Sequence, residues 1–171
     1  FLGDATVVNN GVVNAISIAK DAPSTLEGGA VAVGIDGYAD GVSIANNGNV
    51  NAIAQAEFGF AGASGINAHG KYSPTISPAA GASIYAYASA GSLPGDPEAA
   101  HAVAWGTQTW ASDNAYAYNA GSIVAHAVVT PDEAAEHGGI ASAYGSTVGR
   151  YSGIDDSALV NHGDIEALRA L

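Results

Sequence analysis

The sequence predicts an all-β chain folded as a single-domain parallel β-helix (β-solenoid) of about four to five coils. Three observations predict it. One phrase recurs along the chain, its apolar residues alternate with the period of a strand, and each recurrence keeps the same residue type at the same place.

The phrase reads "NNGVVNAISIA" at 9–19 and "NNGNVNAIAQA" at 46–56. Gly11, Gly48, Gly121 and Gly163 each follow an Asn by two residues: Asn9, Asn46, Asn119 and Asn161. Two residues after each glycine stands Val13, Val50, Ile123 or Ile165, and two further stands Ala15, Ala52, Ala125 or Ala167. A degraded copy, "AAGASIYAYASA", surrounds Gly81 with one residue inserted and no Asn. The glycines are then 37, 33, 40 and 42 residues apart, so constant elements are joined by loops of varying length.

Each coil is expected to hold three short strands. The first coil takes them from around Val7, from Val13–Ala15 and from "GGAVAVGI" at 28–35. The second takes them from around Ile44, from Val50–Ala52 and from "GASGINAHG" at 62–70. The third uses Ile84 and Ala86, then "AHAVAWG" at 100–106, with a loop insertion around 89–114. The fourth uses Ala117, Ile123–Ala125 and "GGIASAYG" at 138–145, and a fifth starts at Leu159 and Ile165–Ala167. No segment has helical periodicity, although "DPEAAHAVAW" (96–105) and "PDEAAEHG" (131–138) suit one helical turn each.

Coils of a solenoid lie about 4.8 Å apart, so matched residues sit on one another: Val13 on Val50, Ala15 on Ala52. Inward alanines imply a narrow core. The eight Asn and Gly residues of the phrase are expected to form a structural corner. Both types tolerate a left-handed backbone, and stacked amides hydrogen-bond along the axis.

The chain has 171 residues, 16 acidic against 4 basic, for a net charge of -12. With so few scattered cations it is expected to bind no nucleic acid and to insert in no membrane. There is no Cys, which excludes disulfides and thiolate metal sites. There is no Met either, and the chain starts and stops inside its own repeat, so it is expected to be a fragment of a longer repeat protein.

The repeat N-x-G-x-[IV]-x-A, in four good copies and one poor one, resembles the degenerate repeats of bacterial autotransporter passengers and related surface adhesins. The resemblance implies a right-handed parallel β-helix, secreted, and displayed on a bacterial cell surface or shed from it. It carries over no enzyme residues, and neither a signal peptide nor a translocator barrel is present in these 171 residues.

Signals of chemistry are weak. No G-x-S-x-G elbow and no H-E-x-x-H pair occurs, so no catalytic and no metal-ligating residue is assigned. No cofactor is expected. The loop with Asp132, Glu133, Glu136 and His137 could bind a cation, and calcium is the one cofactor alternative, shared between stacked Asp40, Asp113 and Asp155, each eight residues before a corner glycine, although the coil at Gly81 intervenes between Asp40 and Asp113. "IDGYADG" (35–41) and "GIDDSA" (153–158) only faintly echo a calcium nonapeptide repeat.

The aromatic residues are the candidate partner contacts. Alternation turns Tyr85, Tyr87, Tyr116 and Tyr118 outward, while Trp105 and Trp110 fall in the loop-rich segment between those coils. Outward aromatics beside small residues suit sugar rings or protein surfaces, provided that segment 89–114 does not fold over them.

The expected function is therefore non-catalytic: a stalk, adhesin or matrix segment of an exported bacterial surface protein, whose partner is a host or neighbouring-cell surface glycan or protein. One alternative is an extracellular filament subunit that stacks end to end with further copies of itself, since no polar caps are visible. Another is a β-helix that binds or cleaves polysaccharide, for which two acids would suffice. Ice binding wants a regular T-x-T series, and only 107–109 provides one.

Overall fold

The computed structural model describes residues 3–20, 29–92, 100–130, 139–150 and 157–170. Every strand pairing among them is parallel, and no described residue is helical. The order is β1 (Asp4–Asn9), β2 (Val12–Ala19), β3 (Gly29–Asn46), β4 (Asn49–Ala56), β5 (Phe60–Pro78), β6 (Ser83–Gly91), β7 (His101–Ala111), β8 (Tyr116–Asn119), β9 (Ser122–Thr130), β10 (Ile140–Arg150), β11 (Ala158–Asn161) and β12 (Asp164–Ala170).

These strands wind into a parallel β-solenoid of about four turns, walled by two sheets. One sheet stacks β2, β4, β6, β9 and β12. The other stacks β1, β3, β5, β7 and β10, with β8 pairing β5 and β11 pairing β8. The expected third strand of one coil runs directly into the first strand of the next in β3 and β5, so these two of the three strands share a sheet.

The register follows the repeat. Val13, Val50, Ile84, Ile123 and Ile165 stack in one column, and Ala15, Ala52, Ala86, Ala125 and Ala167 in the next but one. Residues between them point out, as strand alternation requires. The inward column Val7, Ile44, Ile76, Ala117 and Leu159 forms in the other sheet. Leu159 is inward in register yet 42% exposed, because no described coil covers it.

The core has two halves of different chemistry. In one, Ala30, Ala32, Ala61, Ala63, Ala102 and Ala104 face the alanines of β4, β6 and β9, and small side chains on both walls let the sheets close together. In the other, Ile44, Ile66, Ile76, Val50, Ile84 and Ile123 fill a wider space. Each fully buried Ile or Val contributes about 1.5–3 kcal/mol relative to exposure.

The corner is held by amides, and here one expectation is corrected. Asn9 Nδ2 donates to Asn46 Oδ1 at 2.8 Å, and Asn119 Nδ2 to Asn161 Oδ1 at 2.8 Å. Within a corner the glycine N–H donates to the Asn side-chain oxygen: Gly11 to Asn9 at 3.0 Å, Gly121 to Asn119 at 3.1 Å, Gly163 to Asn161 at 3.3 Å. None of these glycines or asparagines is left-handed. At Gly48, Gly121 and Gly163 glycine is required instead by close approach, while a Cβ on Gly11 would meet nothing within 4 Å. A Cβ on Gly48 would fall on the Gly11 carbonyl oxygen, and one on Gly163 on that of Gly121. Those carbonyls accept the N–H of Asn49 and of Asp164 in the next coil.

The degraded copy does use a left-handed residue. Pro78 takes the level of Asn46, and the chain turns through Ala79–Ala82 with Gly81 at φ +81°. Ala82 N–H closes the turn on Ala79 O at 3.0 Å. Asn46 is followed by a strand three residues on and Pro78 only five on, so this corner is longer by two residues, one on each side of Gly81, rather than by one.

The insertion expected around 89–114 is also corrected. Residues 89–91 complete β6 and 101–111 form β7, so this segment is mostly wall. The end of "DPEAAHAVAW" lies in β7 as strand, and "PDEAAEHG" lies outside the described residues.

Candidate functional site: the outward aromatic columns

The two-sheet wall separates the six candidate contact residues into three places. Tyr85 and Tyr87 stand on the outer face of β6. Their rings stack at 6.3 Å with 11° between planes, and Tyr87 meets His126 edge-on at 5.5 Å. Burial, then the neighbouring Tyr87, raises the Tyr85 pKa above its ordinary value. Tyr116 and Tyr118 stand on β8, in the other sheet, and Tyr118 is exposed. The four tyrosines therefore occupy adjacent coils but not one surface.

Trp105 and Trp110 lie on β7, not on a loop. Why both face outward is a matter of strand phase. Ala102 and Ala104 point in before Gly106, while Thr107, Thr109 and Ala111 are buried after it. The alternation slips by one residue at the glycine. Gly34, Gly65 and Gly145 stand at the same level in β3, β5 and β10. A Cβ on Gly65 would meet Ile84 and the Gly106 carbonyl oxygen; one on Gly106 would meet Ile123 and the Gly145 carbonyl oxygen. This glycine column bends the wall against the isoleucine column.

The slip puts two aromatic columns on one outer face. Trp105 stacks on Tyr144 at 6.1 Å and 12°. Tyr38 stacks on His69 at 5.5 Å and 25°, His69 pairs with Trp110 in register, and the Trp110 indole lies over Gly149. Between the columns runs a polar row, Asp36, Asn67, Gln108 and Thr147. Ser64 donates to Asn67 Oδ1 and receives Gln108 Nε2 at 3.5 Å. Flat rings flanking an amide row on a rigid sheet can stack the apolar face of a sugar or an apolar side chain and hydrogen-bond its polar edge.

Tyr38, His69, Tyr144 and His126 are partners that sequence reasoning passed over. The signal was present: aligning the third segments on Gly65, Gly106 and Gly145 sets Trp105 and Tyr144 at one position.

The acidic column is broken by a cation. Asp40 N–H bonds Gly3 O and Asp113 N–H bonds Lys71 O, which sets Lys71 on the coil between the two acids. A hydrogen bond to Tyr72 and its charge, then Asp40 and Asp113, raise the Lys71 pKa above its ordinary value. The carboxylates of Asp40 and Asp113 therefore have an ammonium between them, where the sequence suggested a shared calcium. Asp155, and the loop of Asp132, Glu133, Glu136 and His137, lie outside the described residues. Among the described residues no three His, Asp or Glu side chains cluster as metal ligands.

Compared with protein-family models, with curated proteins and with solved structures, the chain finds no match in any of the three.

Proposed function

We propose that this chain is a non-catalytic, adhesive segment of an exported bacterial surface protein, a rigid solenoid that displays side chains to a glycan or protein on a facing surface. The observation that carries this reading is the outer face of the sheet formed by β3, β5, β7 and β10. There Trp105–Tyr144 and Tyr38–His69–Trp110 flank a polar row of one carboxylate, two amides and one hydroxyl on a wall that cannot easily rearrange. The N-x-G-x-[IV]-x-A repeat and the absence of Cys agree with a surface adhesin of the autotransporter type. The test is binding of the purified chain to a printed panel of bacterial and animal surface glycans and to surface protein extracts. Replacing Trp105 and Trp110 with Ala should abolish retention while leaving the far-ultraviolet circular dichroism unchanged. Equal retention by the double variant would sink the reading.

One observation favours a second reading, an end-to-end filament. Asn161 accepts from Asn119, and among the described residues its own amide N–H groups donate to nothing, while Asn9 Oδ1 accepts only from Gly11. A second copy placed end to end would continue the amide ladder, an open heterologous contact. Light scattering across a dilution series, with and without calcium, followed by electron microscopy, separates the two. Concentration-dependent filaments support stacking, and a monomer at every concentration removes it.

A further inference from the structure

The outer wall of coils one to three carries a feature that neither aromatic column uses. β5 contains one residue more than β3 between two paired levels: Gly41 pairs with Tyr72, but Ser43 pairs with Thr75. The extra length is a β-bulge at Ser73–Pro74. Pro74 is fully buried and packs beside Gly70, while Ser73 is held at φ +41°, a left-handed conformation that costs a non-glycine residue about 1–3 kcal/mol. Bulges of this kind bend a strand and re-aim a side chain. Tyr72, 49% exposed, stands immediately ahead of the bulge and level with Gly41.

Beside Tyr72 the wall is hollow. Asp4, Gly41 and Tyr72 occupy one column on successive coils, and Thr6, Ser43 and Thr75 the next but one. Gly41 has no side chain, so a floor lies open between a carboxylate and a phenol ring about 9–10 Å apart at backbone level. The Asp4 carboxylate leans over that floor, since a Cβ on Gly41 would stand 2.5 Å from Asp4 Oδ1. The resulting trough is an open, shallow depression of about 360 Å³, large enough for a single sugar ring and open to solvent along one side.

We propose that this trough binds one neutral pyranose ring, with Asp4 accepting hydrogen bonds from adjacent sugar hydroxyls and Tyr72 stacking on the ring. The lining fits this class and disfavours the others. Hydroxyls of Thr6, Ser43 and Thr75 both donate and accept, as a polyol requires. The Asp4 carboxylate repels an anionic sugar. A cationic ligand meets the Lys71 ammonium, which lies 4.8 Å from the centre of the Tyr72 ring and stays protonated through the neutral range. That ammonium covers one face of the ring and leaves the other for the sugar. The trough lies in the same sheet as the display face, three residues along β3 and β5 from the Tyr38–His69 column, and shares no lining residue with it.

Saturation-transfer NMR with methyl glycosides of glucose, galactose and mannose tests it, alongside choline and calcium chloride as competing probes. At least one glycoside should receive saturation, with a Kd on the order of 1 mM, as expected for a single exposed sugar subsite. Tyr72→Ala and Asp4→Asn should each weaken binding at least tenfold, and Tyr72→Phe should stay within about threefold of the parent, because stacking is retained. Trp105→Ala should leave this binding unchanged, which separates failure of the trough from failure of the display face. Thermal melts of all variants should coincide, as Tyr72 and Asp4 are surface residues. No saturation of any glycoside, displacement by choline, or full binding by Tyr72→Ala would overturn the proposal.

Discussion

A single buried amide, that of Asn46, joins two coils and closes a corner. Its oxygen receives Asn9 Nδ2 and its nitrogen donates to Gly48 O at 3.1 Å, with the residue 0% exposed. Asn46→Ala would remove both of these bonds, leaving Gly48 O only the Ser83 N–H at 3.1 Å and Asn9 Nδ2 only the long contact to Asn49 O at 3.4 Å, so stability should fall by about 2 kcal/mol in urea titration. The opposite sign is expected at Thr109. Its hydroxyl is buried among the described residues with no hydrogen-bond partner. Thr109→Val keeps the shape and removes the unpaired group, so it should raise stability by about 1 kcal/mol in the same assay. That the Asn would stack was legible from its recurrence at one place. That its glycine partner serves close approach and not a left-handed turn was not, because both causes select the same residue.

At the scale of the element, each third segment is a strand with a phase slip, and the glycine column is where it happens. Two different reasons for glycine make a testable contrast. Gly106→Ala drives a methyl into Ile123 and into the Gly145 carbonyl, and a backbone atom cannot step aside. The cost should be about 3 kcal/mol or more. Gly81→Ala meets nothing within 4 Å but sits at φ +81°, so only backbone strain of about 1–2 kcal/mol applies. Denaturation midpoints of the two variants should rank in that order. The slip also explains why Trp105 and Trp110 share a face although five residues separate them, an odd spacing that uninterrupted alternation would place on opposite faces. The recurring glycine was visible in the third segments, yet its role needed the isoleucine column of the opposite sheet.

At the scale of the molecule, each coil touches only its neighbours, so stability is close to one-dimensional. The outermost described strands lack a covering coil. Inward Val13 and Ile165 are only partly buried, whereas Val50, Ile84 and Ile123 are fully so. Hydrogen exchange should therefore show the slowest amides in β4, β6 and β7, and fraying in β2 and β12 by several orders of magnitude in rate. Uniform protection across all coils would contradict this and would point to association through the ends.

The sequence by itself determined the solenoid, the register of its columns and the inward and outward faces of the second strands. Local alternation and exact recurrence are enough for that, since stacked coils force like onto like. The tertiary structure alone decided which outward residues meet. The phase slip at Gly106 turns Trp110 outward like Trp105, the corner lengths set Tyr72 level with Gly41 just ahead of the bulge, and Lys71 falls between Asp40 and Asp113. Each of these depends on a one-residue irregularity or on how many residues a corner consumes. Such offsets leave the repeat pattern intact while changing which side chains stand together in space.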